Sequence, residues 1–169
     1  MKKALLLLIL CSPIIGYSQT DFVKDFTGFF SYGESQITQL AEAIPEDKYS
    51  WSPGEGVRNV GQVLTHVIEA NYFITAGMGF PLPDGVKVED ISKLKTKSEL
   101  IAALKASCNY VRESTAKLTD ANLGEQTKLP FGEFSKRGVV LILLDHVAEH
   151  KGQLIAYARS NGIKPPWSN

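Results

Sequence analysis

The sequence predicts an all-α fold: a four-helix bundle with long connections between helices 2 and 3 and between helices 3 and 4. Three observations carry that expectation. Apolar residues recur at helical spacing in four separate segments. Prolines, and most of the glycines, cluster between those segments. Strand signals are confined to one short extended piece around Lys128 to Phe134, and no internal repeat interrupts the pattern. At 169 residues the chain suits a single domain with a sizeable core.

The first eighteen residues read as a cleavable signal peptide rather than part of that domain. Lys2 and Lys3 form a positive start, Ala4 to Ile15 an apolar run, and Gly16-Tyr17-Ser18 a small-x-small cleavage site. Twelve apolar-run residues are too few to span a bilayer, so no stable membrane anchor is expected. Lipid attachment through Cys11 is the weaker alternative, because Leu10 stands where a small residue belongs. The expected domain is thus 19–169, exported to a periplasm or secreted. Without Lys2 and Lys3 it holds 16 basic and 18 acidic residues, a formal charge of −2. With 44% hydrophobic and 21% charged residues it has an ordinary soluble composition. No basic excess points to nucleic acid. Cys108 is the one cysteine beyond that segment, which leaves no internal disulfide and favours a buried structural thiol over a nucleophile.

The first helix is predicted from about Asp21 to Ala43, on Phe22, Phe26, Phe29, Phe30, Ile37, Leu40 and Ala41, despite Gly28 and Gly33. Pro45 ends it, and Glu46 to Arg58, with Pro53, Gly54 and Gly56, reads as a loop. Trp51 in that loop either walls a pocket or anchors the loop to the core. The second helix opens at Asn59, a capping residue, and runs to about Met78. Val60, Val63, Leu64, Val67 and Ile74 make its apolar stripe, and His66 lies on the flank. Gly79 to Lys95 is a long connector, either a flap over a site or a crossover between bundle halves. Thr96 and Glu99 make a capping box that starts the third helix, with Leu100, Ile101, Leu104, Cys108, Val111 and Leu118 as its stripe. Thr119 to Gly138 then turns polar and glycine-rich. The fourth helix follows from Val139 to Ser160, with Gly162 placed to cap it and Pro165-Pro166 beyond.

That last helix carries the chain's chemical signal. His146 and His150 fall at about −20° and +20° on a wheel measured from Val139, flanked by Leu143 at about +40° and Tyr157 at about 0°. Two imidazoles therefore sit in the middle of an apolar stripe. An unpaired buried polar group costs ~1–3 kcal/mol, and two protonated rings would repel one another. Hydrogen-bonded core histidines and a shared metal ion both answer that problem. His66, the third histidine of the chain, can face the pair from a second helix and tips the balance to metal.

Two segments, WSPGEGVRNVGQVLTHVIEANYFI from Trp51 to Ile74 and DHVAEHKGQLIAYARSNGIKPP from Asp145 to Pro166, resemble the DinB-like four-helix-bundle superfamily. The order matches as well: a Trp-Ser-Pro-Gly loop, a helix with one histidine, then H-x-x-x-H-x-G-Q near the end. The resemblance implies an up-down-down-up bundle with a divalent metal held by His66, His146 and His150. It implies thiol transfer by analogy with bacillithiol-type and mycothiol-type transferases, and by the same analogy a homodimer. The export signal is the departure from relatives that act on small thiols inside the cell.

Three neutral imidazoles would leave an ion its full charge and an open position for water or substrate. Such a ligand set suits zinc, nickel, copper or iron better than magnesium or calcium. Glu149 and Gln153 flank the stripe and are the expected supports for the ring nitrogens, whereas Asp145 is expected in solvent. No nucleophilic serine or cysteine and no carboxylate pair is evident, so no catalytic residue is assigned. The expectation is a metal-dependent transferase or hydrolase acting on a small molecule, a thiol or an electrophile. The alternative is a non-catalytic exported bundle that binds a metal or small ligand.

Overall fold

The computed structural model describes residues 19–168, and the segment read as a signal peptide lies outside them. Four helices make up the body: α1 Gln19–Ala43, α2 Val60–Gly77, α3 Lys97–Thr115 and α4 Lys136–Ser160. Between α3 and α4 stands a small antiparallel hairpin, β1 Gln126–Leu129 and β2 Gly132–Ser135. It occupies the place where the sequence showed one short extended piece. Short 3₁₀ turns at Glu46–Lys48 and Val88–Lys93 complete the order.

The predicted starts are chemically real. Asn59 and Thr96 each accept a bond from the backbone N–H three residues on, and Gln62 and Glu99 reach back to close both capping boxes. The fourth helix begins three residues before Val139, because Ser135 caps it by accepting from the Gly138 N–H. The third stops at Thr115, short of Leu118, which is buried in the turns that follow.

Pairs of side chains give the helix directions. Asn71 meets Ser107 and Cys108, and Tyr72 meets Tyr110 one step further along both helices, while Gly61 faces Leu100, so α2 and α3 run parallel. Glu42 pairs with Lys105 and Glu34 with Arg112, so α1 and α3 are antiparallel. Phe22 lies under Arg137 and Tyr32 under Lys151, which makes α1 and α4 parallel. Tyr157 reaches Arg58 while His146 meets His66, so α4 opposes α2. The bundle is therefore up-down-down-up, with α4 lying between α1 and α2, and α3 packed on both α1 and α2.

That topology explains the long second connection. A parallel neighbour can be reached only by travelling back along the length of α2, and residues 78–96 make that crossover. Phe30, Ile37, Leu40, Leu64, Ile68, Leu104, Leu143 and Leu154 fill the core between the helices. Two of the glycines inside helices have close packing reasons. A Cβ on Gly33 would stand 2.8 Å from Val147, so α1 approaches α4 closely beside the histidines. A Cβ on Gly77 would collide with Leu129, the hairpin residue seated against the end of α2.

Candidate metal centre

Antiparallel packing of α2 on α4 brings all three histidines together. His66 and His146 face one another through their Nε2 atoms at 3.1 Å. Ring centroids lie 5.0 Å apart for His66 and His146, 4.9 Å for His66 and His150, and 4.5 Å for His146 and His150. One nitrogen from each ring lies within 4.8 Å of the others, the sole such group of histidine, cysteine and acidic ligands among the described residues. Two nitrogens 3.1 Å apart suit ligands ~2.0–2.1 Å from a common ion that meet at roughly 100°. The three histidines could hold a metal ion.

A chain of hydrogen bonds fixes the orientation of His150. Tyr157 donates its hydroxyl proton to the Arg58 carbonyl at 2.9 Å. That hydroxyl oxygen accepts from Gln153 Nε2 at 2.8 Å, which turns Gln153 Oε1 toward His150. The contact there is 2.8 Å to Nδ1, so Nδ1 carries the proton and donates. With the proton on Nδ1, Nε2 is the nitrogen left to ligate, the tautomer a metal ligand needs. Trp51 packs its edge on Tyr157 with centroids 5.3 Å apart, anchoring the loop that presents the Arg58 carbonyl.

Burial acts on the other two rings in one direction. Desolvation first, then the neighbouring His150, His66 and Arg58, lower the His146 pKa to about 4. His66 is lowered as well, by desolvation first and then by Arg58 and His150, against a small opposing pull from Glu149. Both are neutral rings at pH 7. His146 Nδ1 is buried without a hydrogen-bond partner, an exception to the rule that buried polar atoms are satisfied.

The triad is open on one side. His66 and His146 form part of the wall of a ≈ 510 Å³ cleft whose other walls are mainly apolar, among them Phe73, Val88, Phe131 and Ile142. Four elements contribute: α2, the crossover, the hairpin turn and α4. The connector is thus both a crossover and, through Val88, a wall of the site.

The structure divides the expected supports. Gln153 bonds His150, while Glu149 and Asp145 are both exposed and neither bonds a ring. Trp51 anchors its loop against Tyr157. Cys108 is 1% exposed, far from reagents, and its thiol is pushed up to about 12, chiefly by burial. Two participants were missed by reading the sequence. Glu69 lines the cleft one turn beyond His66 on α2, and the H-x-x-E spacing was the available signal. The Arg58 carbonyl carries no side-chain signal at all.

A family profile for the DinB superfamily matches residues 30–154. The structure is similar to that of a DinB-like protein from Bacillus cereus ATCC 10987, at 18% identity and a TM-score of 0.74, covering 86% of this chain and 97% of that one. It is also similar to a DinB-like protein from Bacillus subtilis, at 18% identity and a TM-score of 0.66, covering 83% and 93%. No curated protein matches the chain.

Proposed function

The chain belongs to the DinB superfamily, and from that premise we propose that His66, His146 and His150 bind a divalent transition metal in a metal-dependent enzyme. Zinc, nickel, copper and iron are the ions that suit three imidazoles. The reaction is thiol transfer or hydrolysis on a small molecule. One observation carries the reading: three imidazoles cluster, and two of them, His66 and His146, both held neutral by burial, stand in the wall of an open cleft. A site built only to hold structure would be closed.

When bound, such an ion lowers the pKa of a water or thiol held on it toward neutrality. The chain's own groups do the rest. Gln153 and Tyr157 keep the His150 Nε2 turned to the site. Glu69 is the one carboxylate in the cleft wall and would be the group there to accept a proton from a water or thiol held at the site. Apolar walls exclude bulk water and strengthen these interactions. The Lys-Lys start and apolar run before Gln19 support an exported enzyme.

The test is elemental analysis of protein from its native compartment, followed by thiol-conjugation and hydrolase screens with the metal found. One ion per chain with turnover is the expected result. Metal without turnover across both screens would leave a binding protein, and absence of metal would overturn the reading.

A further inference from the structure

We propose that the substrate of this site has an apolar body, an aromatic ring or a short alkyl chain, attached to one metal-binding head group such as a thiol. This rests on the three-histidine reading above and adds what the remainder of the molecule must be. The cleft beside His66 and His146 offers Phe73, Val88, Phe131 and Ile142 as its main surfaces, with Glu69 the one carboxylate among them. A second hollow of ≈ 290 Å³ shares Phe73 and Val88 and continues over Leu82 and Leu129. The two together make an apolar track with imidazoles at one end. Volumes of this order hold small organic molecules.

Exposure supports the same conclusion. Phe73 is 46% and Phe131 56% exposed at the mouth of the cleft, a costly arrangement for two aromatic side chains unless something covers them. A molecule studded with hydroxyls or charges would lose its hydration along this track and find few partners there. An apolar body would cover the two rings. The head group would reach the histidines, and the concave shape with ligating nitrogens in its wall fits a small molecule better than a flat protein surface.

The experiment uses the cobalt-loaded protein, in which a bound thiolate gives a charge-transfer band. Titrations would run through ethanethiol, butanethiol and hexanethiol, with 2-mercaptoethanol as the polar control. Affinity is expected to rise about fourfold per added methylene until the track is filled, and 2-mercaptoethanol should bind more weakly than butanethiol. Phe73→Ser should flatten the series at unchanged cobalt content. Val88→Asp, in the crossover rather than a helix, serves the same purpose if the first variant folds poorly. A flat series in the unaltered protein, or equal binding of 2-mercaptoethanol and butanethiol, would overturn the proposal. If the protein takes up no cobalt, the metal reading fails by itself. The track is then read in metal-free protein, where hexanol and not ethanol should shift the amide resonances of Val88, Phe131 and Ile142. No dependence on chain length there would overturn the proposal independently.

Discussion

On the side of α2 that faces α3, Asn71 donates to Ser107 Oγ at 3.1 Å and to Cys108 Sγ at 3.4 Å, where no solvent reaches. On the side that faces α4, His66 meets His146 and His150 beside an open cleft. Both are polar clusters built on one helix within a bundle core. Burial pushes the chemistry of each in opposite directions of use. A thiol raised to about 12 stays protonated and inert. An imidazole lowered to about 4 stays neutral, which is the form that ligates. Burial of polar groups therefore does not by itself mark a site. What separates the two clusters is access, because each holds a buried polar atom without a partner, Asn71 Oδ1 in one and His146 Nδ1 in the other.

The comparison breaks first at the histidines. His146→Ala should leave substoichiometric metal by elemental analysis, with a loss of affinity greater than the ~10–100-fold typical of an outer-shell change. Equal metal in the variant and the unaltered protein would remove the distinction between the two clusters. Next come Gln153→Leu and Tyr157→Phe. Each should weaken metal binding by ~10–100-fold in a chelator competition. In the metal-free protein, nitrogen chemical shifts of His150 should show the Nδ1–H tautomer, and that preference should fade in Gln153→Leu.

The sealed cluster should answer in stability alone. Asn71→Ala removes two buried hydrogen bonds and should cost ~1–3 kcal/mol by denaturant unfolding with unchanged metal content. A change in metal content would mean the two sides of α2 are coupled. The pH dependence is smaller. His146 is held neutral in the fold down to about 4, whereas an unfolded chain takes up that proton near the ordinary histidine value of 6.5. The unfolded state binds more protons between those values, so the ring's contribution is intact above 6.5 and is lost as pH falls toward 4. The melting temperature of metal-free protein should drop across that window, and His146→Phe should shallow the drop. Least of all should change at Cys108: a thiol reagent should label it only as fast as the chain opens.

Much of this was legible in the chain because it is local. Four apolar periodicities, the Asn59 cap, the Thr96/Glu99 capping box and the i, i+4 histidine pair each depend on residues within a few positions of one another. Gly33 looked like a flaw in its helix, and only the approach of Val147 gives it a purpose. Glu149 and Gln153 looked equivalent on a wheel. Gln153 supports His150 because Tyr157 and the Arg58 carbonyl, 99 residues away in the chain from Tyr157, orient its amide. A wheel cannot contain a partner from another element.

By itself, then, the sequence determined the helices, their caps and the three residues of the candidate site, since helical periodicity and side-chain chemistry are short-range properties. Tertiary structure decided that His66 stands 3.1 Å from His146, that His150 presents Nε2, and that an apolar cleft opens beside them. Those depend on the antiparallel seating of α2 on α4 and on a crossover and a hairpin brought in from elsewhere. Packing of distant elements, not spacing along one of them, sets distance, tautomer and access.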